Sequence, residues 1–309
     1  MRPYCRPNKL GGIVMVAVTH HDEEQAFRDI CLHSDEIITR KITMQDLRQS
    51  LREGWQDYSE KPISTFTLLI LYYPLFAVIF VMTSMGQDLR YLIFPAVAGF
   101  TLIGPVIAIA FFEMSRQKEN GLRMSWRKAF GFIHSYSFAP ILGLSIVMTM
   151  LYAGWLYLAE ALYFSLFADT PPASVADFFN QLVTTRHGWA LIFYGNLIGF
   201  LFSFAAMAFS VIAFPLALDK PVTTLTAVAV SVKAFLDNVW VLGVWGFIVV
   251  LIMALGAALF FVGLAVALPI LGHATWHLYK KIVALEPTYH HNLGSEGVHN
   301  RRGASVAKL

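Results

Sequence analysis

Charge is scarce in this sequence of 309 residues. Only 14% of the residues are Asp, Glu, Lys or Arg, whereas a soluble domain has about 25%. Because a surface in contact with water needs charged side chains, this composition excludes an ordinary soluble globular protein. Hydrophobic residues make up 57% of the chain. The composition therefore predicts an integral membrane protein.

Cysteine is scarce, and the common catalytic motifs are missing. The two cysteines, Cys5 and Cys31, precede the first apolar run and offer no disulfide framework. The sequence contains no GxxxxGK[ST], GxSxG, HExxH or CxxC motif. The apolar runs carry no row of acidic or arginine residues, which proton relays and voltage sensors require. These absences indicate that the protein is not an enzyme.

Five apolar runs are long enough to cross a membrane, which takes about 20 helical residues. They cover residues 66–85, 91–112, 139–168, 189–218 and 239–279. The last run is 41 residues long, so it predicts two helices that turn near 255–258. Glu160 is the one charged residue in all five runs. The pattern predicts six transmembrane helices.

Lys and Arg are unevenly distributed among the connecting segments. Of the 23 such residues, only Arg90 and Arg186 lie in the loops predicted on the side of the membrane opposite the N-terminus. The other 21 lie in residues 1–65, 113–138, 219–238 and 280–309. Because cytoplasmic loops carry the excess of Lys and Arg, both termini are predicted to be cytoplasmic. The expected location is an inner membrane, crossed several times.

A unit of one amphipathic helix and two crossings recurs three times. Apolar side chains at helical spacing predict interfacial helices over 44–57, 125–135 and 223–238. The second crossing of each pair carries a proline, and these prolines are Pro105, Pro215 and Pro269. We predict an all-α membrane protein of three hairpins, each preceded by a cytoplasmic amphipathic interfacial helix.

The membrane domain is predicted to extend over residues 43–281. Residues 1–42 are expected to form a partly disordered cytoplasmic arm, whose start stays open between Met1 and Met15. Residues 282–309 are rich in Gly, Asn, His and Arg, and we expect a disordered cytoplasmic tail.

His273 and His277 are the candidates for cofactor binding. They are four residues apart and therefore lie on one helical face, a spacing that can hold a metal or a haem edge. They also lie just before Lys280, where imidazole and aromatic side chains anchor helices in the membrane interface. Two ligands without a third are a weak motif, so the sequence favours anchoring. We expect no cofactor and no metal.

Five more polar residues are candidates for a functional role. Glu160 lies either within the membrane or at the outer interface, because its apolar run is 30 residues long. Glu113 and Arg116 are predicted to pair at the surface. Asp219 is predicted to form a turn that N-caps the third interfacial helix. Asn196 lies between the glycines of a GxxxG motif, which indicates helix packing.

Several short segments together resemble a known family. They are Gly54-Trp55 with Asp57, Gly104-Pro105 with 113–116, 214–216 with Asp219, 231–234 and 268–277. The set resembles the predicted integral membrane family called domain of unknown function 2189 (DUF2189), over roughly 43–281. The resemblance implies a bacterial, chiefly proteobacterial, membrane protein without an established activity. Some members are labelled cytochrome c oxidase subunit I, but His273 and His277 supply too few haem ligands for that catalytic core.

Three functions are compatible with the sequence. The first expectation is a non-enzymatic membrane protein that organises lipid or partner proteins. One alternative is a carrier or channel for an apolar or amphiphilic solute, with the proline-bearing crossings around a central path. Another is a cofactor-binding accessory subunit of a respiratory assembly that uses His273 and His277. The expected partners are the lipid bilayer, a second copy of the chain or another membrane protein, and no nucleic acid.

Overall fold

A computed structural model describes residues 4–7, 13–16, 37–60, 104–167, 172, 175–258 and 263–285. The predicted crossing over 66–85 and most of that over 91–112 lie outside the described residues, as does most of the predicted C-terminal tail. Within the described ranges the chain is mostly helical, in agreement with the sequence pattern.

The helices and strands occur in a simple order along the chain. They are β1 (Tyr4–Pro7), β2 (Ile13–Val16), β3 (Ile37–Thr39), α1 (Met44–Glu60), α2 (Gly104–Glu119), α3 (Trp126–Ala129), a 3₁₀ helix (Gly131–His134), α4 (Phe138–Phe167), α5 (Val175–Thr184), α6 (Arg186–Ser210), α7 (Ala213–Asp219), α8 (Thr224–Asp237), α9 (Val239–Ala258), α10 (Leu264–Ile282) and β4 (Val283–Leu285).

Three helical stretches are long and apolar enough to cross a membrane. They are Phe138–Phe167, Arg186–Asp219 and Val239–Gly256, which correspond to the third, fourth and fifth predicted crossings. Large apolar side chains on these stretches are exposed, among them Met150, Phe193, Phe200, Trp240 and Phe247. Outward apolar side chains are what contact with lipid requires, because the hydrocarbon core cannot solvate polar groups.

The 41-residue apolar run divides into two helices, as its length predicts. α9 ends at Ala258 and α10 begins at Leu264, and residues 259–262 lie outside the described ranges. Gly256 lies against the start of α10, where an added Cβ would come within 3.0 Å of the Leu264 backbone nitrogen. Glycine at this position lets the two helices approach closely.

Helices occur at all three stretches predicted to be interfacial, and they pack in a cyclic pattern. α1 packs on α10, α3 packs on α2, and α8 packs on α6 and α7. Each of these helices therefore packs on the proline-bearing second segment of another unit. α1 packs on that of the third unit, α3 on that of the first, and α8 on that of the second. The supporting segments α2, α7 and α10 also contact one another pairwise. These three segments pack around the buried side chains of Phe112, Phe214 and Trp276.

Four short strands, which the sequence did not predict, accompany the helices in the described part of the chain. β1 pairs with β2, and β3 pairs with β4, both antiparallel. Asn238 fastens the segment after β3, since its Oδ1 accepts from the Ile42 backbone N–H over 2.8 Å and its Nδ2 donates to the Arg40 carbonyl over 3.1 Å. Residues 37–42 are therefore packed against the helices. Segments of three or four residues are too short to show a strand periodicity in the sequence.

Candidate functional site

A buried carboxylate, Asp57, lies at the centre of the polar contacts between α1, α2 and α10. The residue is only 2% exposed. It follows Leu47, Ser50 and Gly54 on one face of α1, and this face packs against α10. Because Asp57 lies on the apolar face of an amphipathic helix, the packing of that face against α10 buries its carboxylate.

Three side chains from two other helices contact the Asp57 carboxylate. The Ser115 hydroxyl donates to Oδ2 over 2.6 Å, and the Lys118 ammonium donates to Oδ1 over 2.8 Å. Nε2 of His277 lies 2.8 Å from Oδ2. Lys118 also contacts Glu60 over 2.6 Å. The network therefore joins three helices through one acid.

The Asp57 carboxylate is held in its ionised form. Burial alone would raise its pKa, but hydrogen bonds from His277, Lys118 and Ser115 outweigh the desolvation and hold the pKa of Asp57 well below its usual range. Burial likewise opposes the charge of Lys118, yet its bonds to Asp57 and Glu60 raise the pKa of that ammonium. The ion pair between the buried Asp57 carboxylate and the partly exposed Lys118 ammonium is therefore charged at neutral pH.

His273 joins the network through Ser115. Nδ1 of His273 lies 2.8 Å from the Ser115 hydroxyl oxygen, and its ring meets that of Phe111 edge-on with centroids 5.6 Å apart. A hydroxyl has one hydrogen and an ionised carboxylate only accepts, so the Ser115 hydrogen points to Asp57. The Ser115 oxygen then accepts from Nδ1–H of His273. Asp57, Ser115 and His273 form a hydrogen-bonded chain with a fixed direction.

Acidification is expected to weaken this network. Because the pKa of Asp57 is lower in the folded than in the unfolded protein, its contribution to stability is complete above the unfolded value of about 4 and is lost as the pH falls through the folded value. Thermal unfolding in detergent, measured from about pH 7 to about pH 3, should show a steeper loss of melting temperature in the native protein than in Asp57→Asn. Parallel losses in the two proteins would contradict the assignment.

Glu113 and Arg116 do pair, with 2.7 Å between Arg116 Nε and Glu113 Oε2. The pair is not at the surface, because Glu113 is buried between helices. Gln117 donates to the second oxygen of the same carboxylate over 3.2 Å. The pair and the amide thus form a second polar group on α2, next to the network around Asp57.

The predicted capping role of Asp219 is wrong. The cap of α8 is Thr223, whose hydroxyl oxygen accepts from the Thr226 backbone N–H over 3.2 Å. Asp219 ends α7 instead and accepts from the Tyr279 hydroxyl over 2.8 Å, with Nζ of Lys280 at 3.7 Å. Thr223 directly precedes the first helical residue, which is the position where a hydroxyl can reach the free N–H groups. Asp219 therefore joins α7 to α10.

The structure places Glu160 and Asn196 away from this site. Glu160 is partly buried on α4, about two turns before that helix ends. Asn196 is exposed on α6, and its Nδ2 donates to the Ile192 carbonyl of the same helix over 2.7 Å. The neighbouring Gly199 lies close to α4, since an added Cβ would come within 3.0 Å of the Trp155 ring. Helix packing here depends on the glycine, while the amide bonds within its own helix.

The histidine pair differs from the anchoring interpretation. α1, α2 and α7 cover the last turns of α10, so His273, Trp276 and Tyr279 are all buried. The Trp276 indole N–H donates to Glu119 over 3.2 Å rather than facing a membrane interface. His273 and His277 each use a ring nitrogen in the network around Asp57. Among the described residues, no group of three His, Cys, Asp or Glu side chains is placed to hold a metal ion.

Sequence reasoning missed Ser115, Lys118 and the central position of Asp57. One signal was present, because an acid on the apolar face of an amphipathic helix indicates a buried ion pair. Ser115 and Lys118 give no comparable signal. Their importance depends on which helices α2 meets, and periodicity along one helix does not contain that information.

Comparison with known proteins supports the resemblance for part of the chain. A family model described as a predicted integral membrane protein (DUF2189) matches residues 93–219. The match includes α2 through α7 and is narrower than the expected 43–281. Comparisons with curated proteins and with solved structures give no match. Over residues 93–219, which include the apolar helices α4 and α6, the chain is therefore similar to a family of predicted integral membrane proteins.

Proposed function

We propose that the protein is a non-enzymatic integral membrane protein whose cytoplasmic end is a fixed helical cap that organises lipid or partner proteins. The observation that carries this proposal is the closed network around Asp57. Every buried side-chain nitrogen or oxygen in the described part of the chain has a hydrogen-bond partner. A catalytic or transport site needs polar groups that are free to meet a substrate, whereas these groups join helices to one another.

The proposal includes six crossings arranged as three hairpins, with both termini in the cytoplasm of a bacterium and the spans in its inner membrane. The distribution of Lys and Arg supports this orientation. The three apolar stretches and the division of the 41-residue run support the number of crossings. The cyclic packing of α1, α3 and α8 on the proline-bearing segments supports a threefold repetition of one unit.

The carrier and cofactor alternatives have less support. A carrier needs a hydrated path between the proline-bearing helices, but α2, α7 and α10 contact one another directly at the cytoplasmic end. A bound metal would need further protein ligands beside His273 and His277. Among the described residues, no group of three His, Cys, Asp or Glu side chains is placed to supply them.

Native mass spectrometry of the gently extracted protein tests the proposal. It weighs bound haem, metal, lipid and partner subunits in one experiment. We expect a chain that carries lipid or a partner protein, without a stoichiometric haem or metal adduct and without a visible absorption band.

A stoichiometric adduct that is lost in His273→Ala would overturn the proposal in favour of the cofactor alternative. His134→Ala is the matched control, because His134 is exposed and lies outside the network. An adduct that is lost equally in both variants would indicate non-specific binding to histidine and would leave the proposal standing.

A further inference from the structure

α1 has two faces with different surroundings. The face that carries Leu47, Gly54 and Asp57 is buried against α10. Arg48, Arg52 and Trp55 follow one another at spacings of four and three residues, so they form one stripe on the opposite side. All three are exposed, and Trp55 is 55% exposed. We call Arg48, Arg52 and Trp55 the outer stripe.

The acidic side chains of α1 have partners other than the outer stripe. Asp57 and Glu60 contact Lys118, and Glu53 contacts Lys281. Of the ion pairs between described residues, none includes Arg48 or Arg52. Like charges four residues apart on a helix repel each other. The outer stripe therefore presents two guanidinium groups without a compensating charge in the described part of the chain.

The direction of α1 determines which residues of the outer stripe lie closer to the membrane. Lys281 Nζ donates to Ser50 over 3.2 Å, whereas His277 contacts Asp57 about two turns further along α1, so the two helices are antiparallel. In the proposed orientation the end of α10 at Lys281 faces the cytoplasm. α1 then descends toward the membrane, and the helical rise places Trp55 about 10 Å deeper than Arg48.

This order matches a helix at the surface of an anionic bilayer. Tryptophan prefers the boundary between headgroups and acyl chains, and arginine binds phosphate through paired hydrogen bonds. We propose that the outer stripe binds anionic phospholipid, with Arg48 and Arg52 on the headgroup phosphate and Trp55 at the acyl boundary. The inference rests on the proposed function and names its lipid partner by charge.

The test uses native mass spectrometry to measure the binding of phosphatidylglycerol and of phosphatidylcholine to the full-length protein in detergent. The double variant R48Q/R52Q is expected to lower the affinity for phosphatidylglycerol about tenfold and to leave phosphatidylcholine binding unchanged. R40Q/K41Q is the matched control, because it removes the same charge from exposed positions outside the stripe. It should change phosphatidylglycerol affinity less than about twofold.

R48K/R52K keeps both charges and is expected to keep phosphatidylglycerol bound, which separates charge from folding. Equal phosphatidylglycerol affinity in R48Q/R52Q and the native protein would overturn the inference. An equal loss in R48Q/R52Q and R40Q/K41Q would also overturn it, since binding would then follow net charge alone. Neither result affects the proposed function, whose failure appears separately as a stoichiometric haem or metal adduct.

Discussion

Asp57→Ala is expected to destabilise the protein by about 1–3 kcal/mol, because hydrogen-bond donors packed around the buried carboxylate would be left without their acceptor. The Lys118 ammonium, the Ser115 hydroxyl and the His277 imidazole would all lose the same acceptor. The substitution would therefore weaken the packing of α1 against both α2 and α10. The measurement is the midpoint of denaturant unfolding of the purified protein in detergent.

Glu60→Ala is the matched control for this substitution. Glu60 contacts the same Lys118 ammonium over 2.6 Å, but its side chain is 56% exposed. Exposed pairs contribute about 0–1 kcal/mol, so the control should be nearly neutral. The comparison separates the loss of a buried charge partner from the loss of any contact with Lys118. Equal effects of the two substitutions would show that the network does not fasten the three helices.

The three long apolar helices could be predicted from the sequence because membrane insertion depends on quantities that add along the chain. Apolar length and the near absence of charge mark α4, α6 and α9 without knowledge of their neighbours. The break before α10 follows from length alone in the same way. The amphipathic helices α1 and α8 are likewise visible, since a periodicity of 3.6 residues is a local property.

The site could not be predicted in the same way, because its members come from three segments far apart in the chain. Glu113 and Arg116 pair within one helix, and that pair was visible in the sequence. His273 and His277 were visible as a pair, but the partners that define their role, Asp57 and Ser115, belong to α1 and α2. The burial of the end of α10 likewise depends on the helices that cover it.

Gly54→Ala is expected to have the second large effect, through steric conflict rather than charge. A Cβ at Gly54 would lie 2.6 Å from the backbone nitrogen of Ala274 and 2.7 Å from its Cβ. Backbone atoms of α10 cannot rotate away, so α1 must shift. Overpacking of a tight contact costs about 1–3 kcal/mol, and the shift would also displace Asp57, one turn further along α1. The measurement is thermal unfolding in detergent.

Gly243→Ala provides a control of opposite sign. Nothing lies within 4 Å of the Cβ that this change adds to α9, and alanine favours a helix over glycine by about 0.5–1 kcal/mol. We therefore expect a higher melting temperature for Gly243→Ala and a lower one for Gly54→Ala. Adding Ala274→Gly to Gly54→Ala removes the side-chain contact but keeps the backbone nitrogen in place, so it should not restore stability. Full restoration would show that the side chain of Ala274, rather than the backbone of α10, limits how closely α1 can approach.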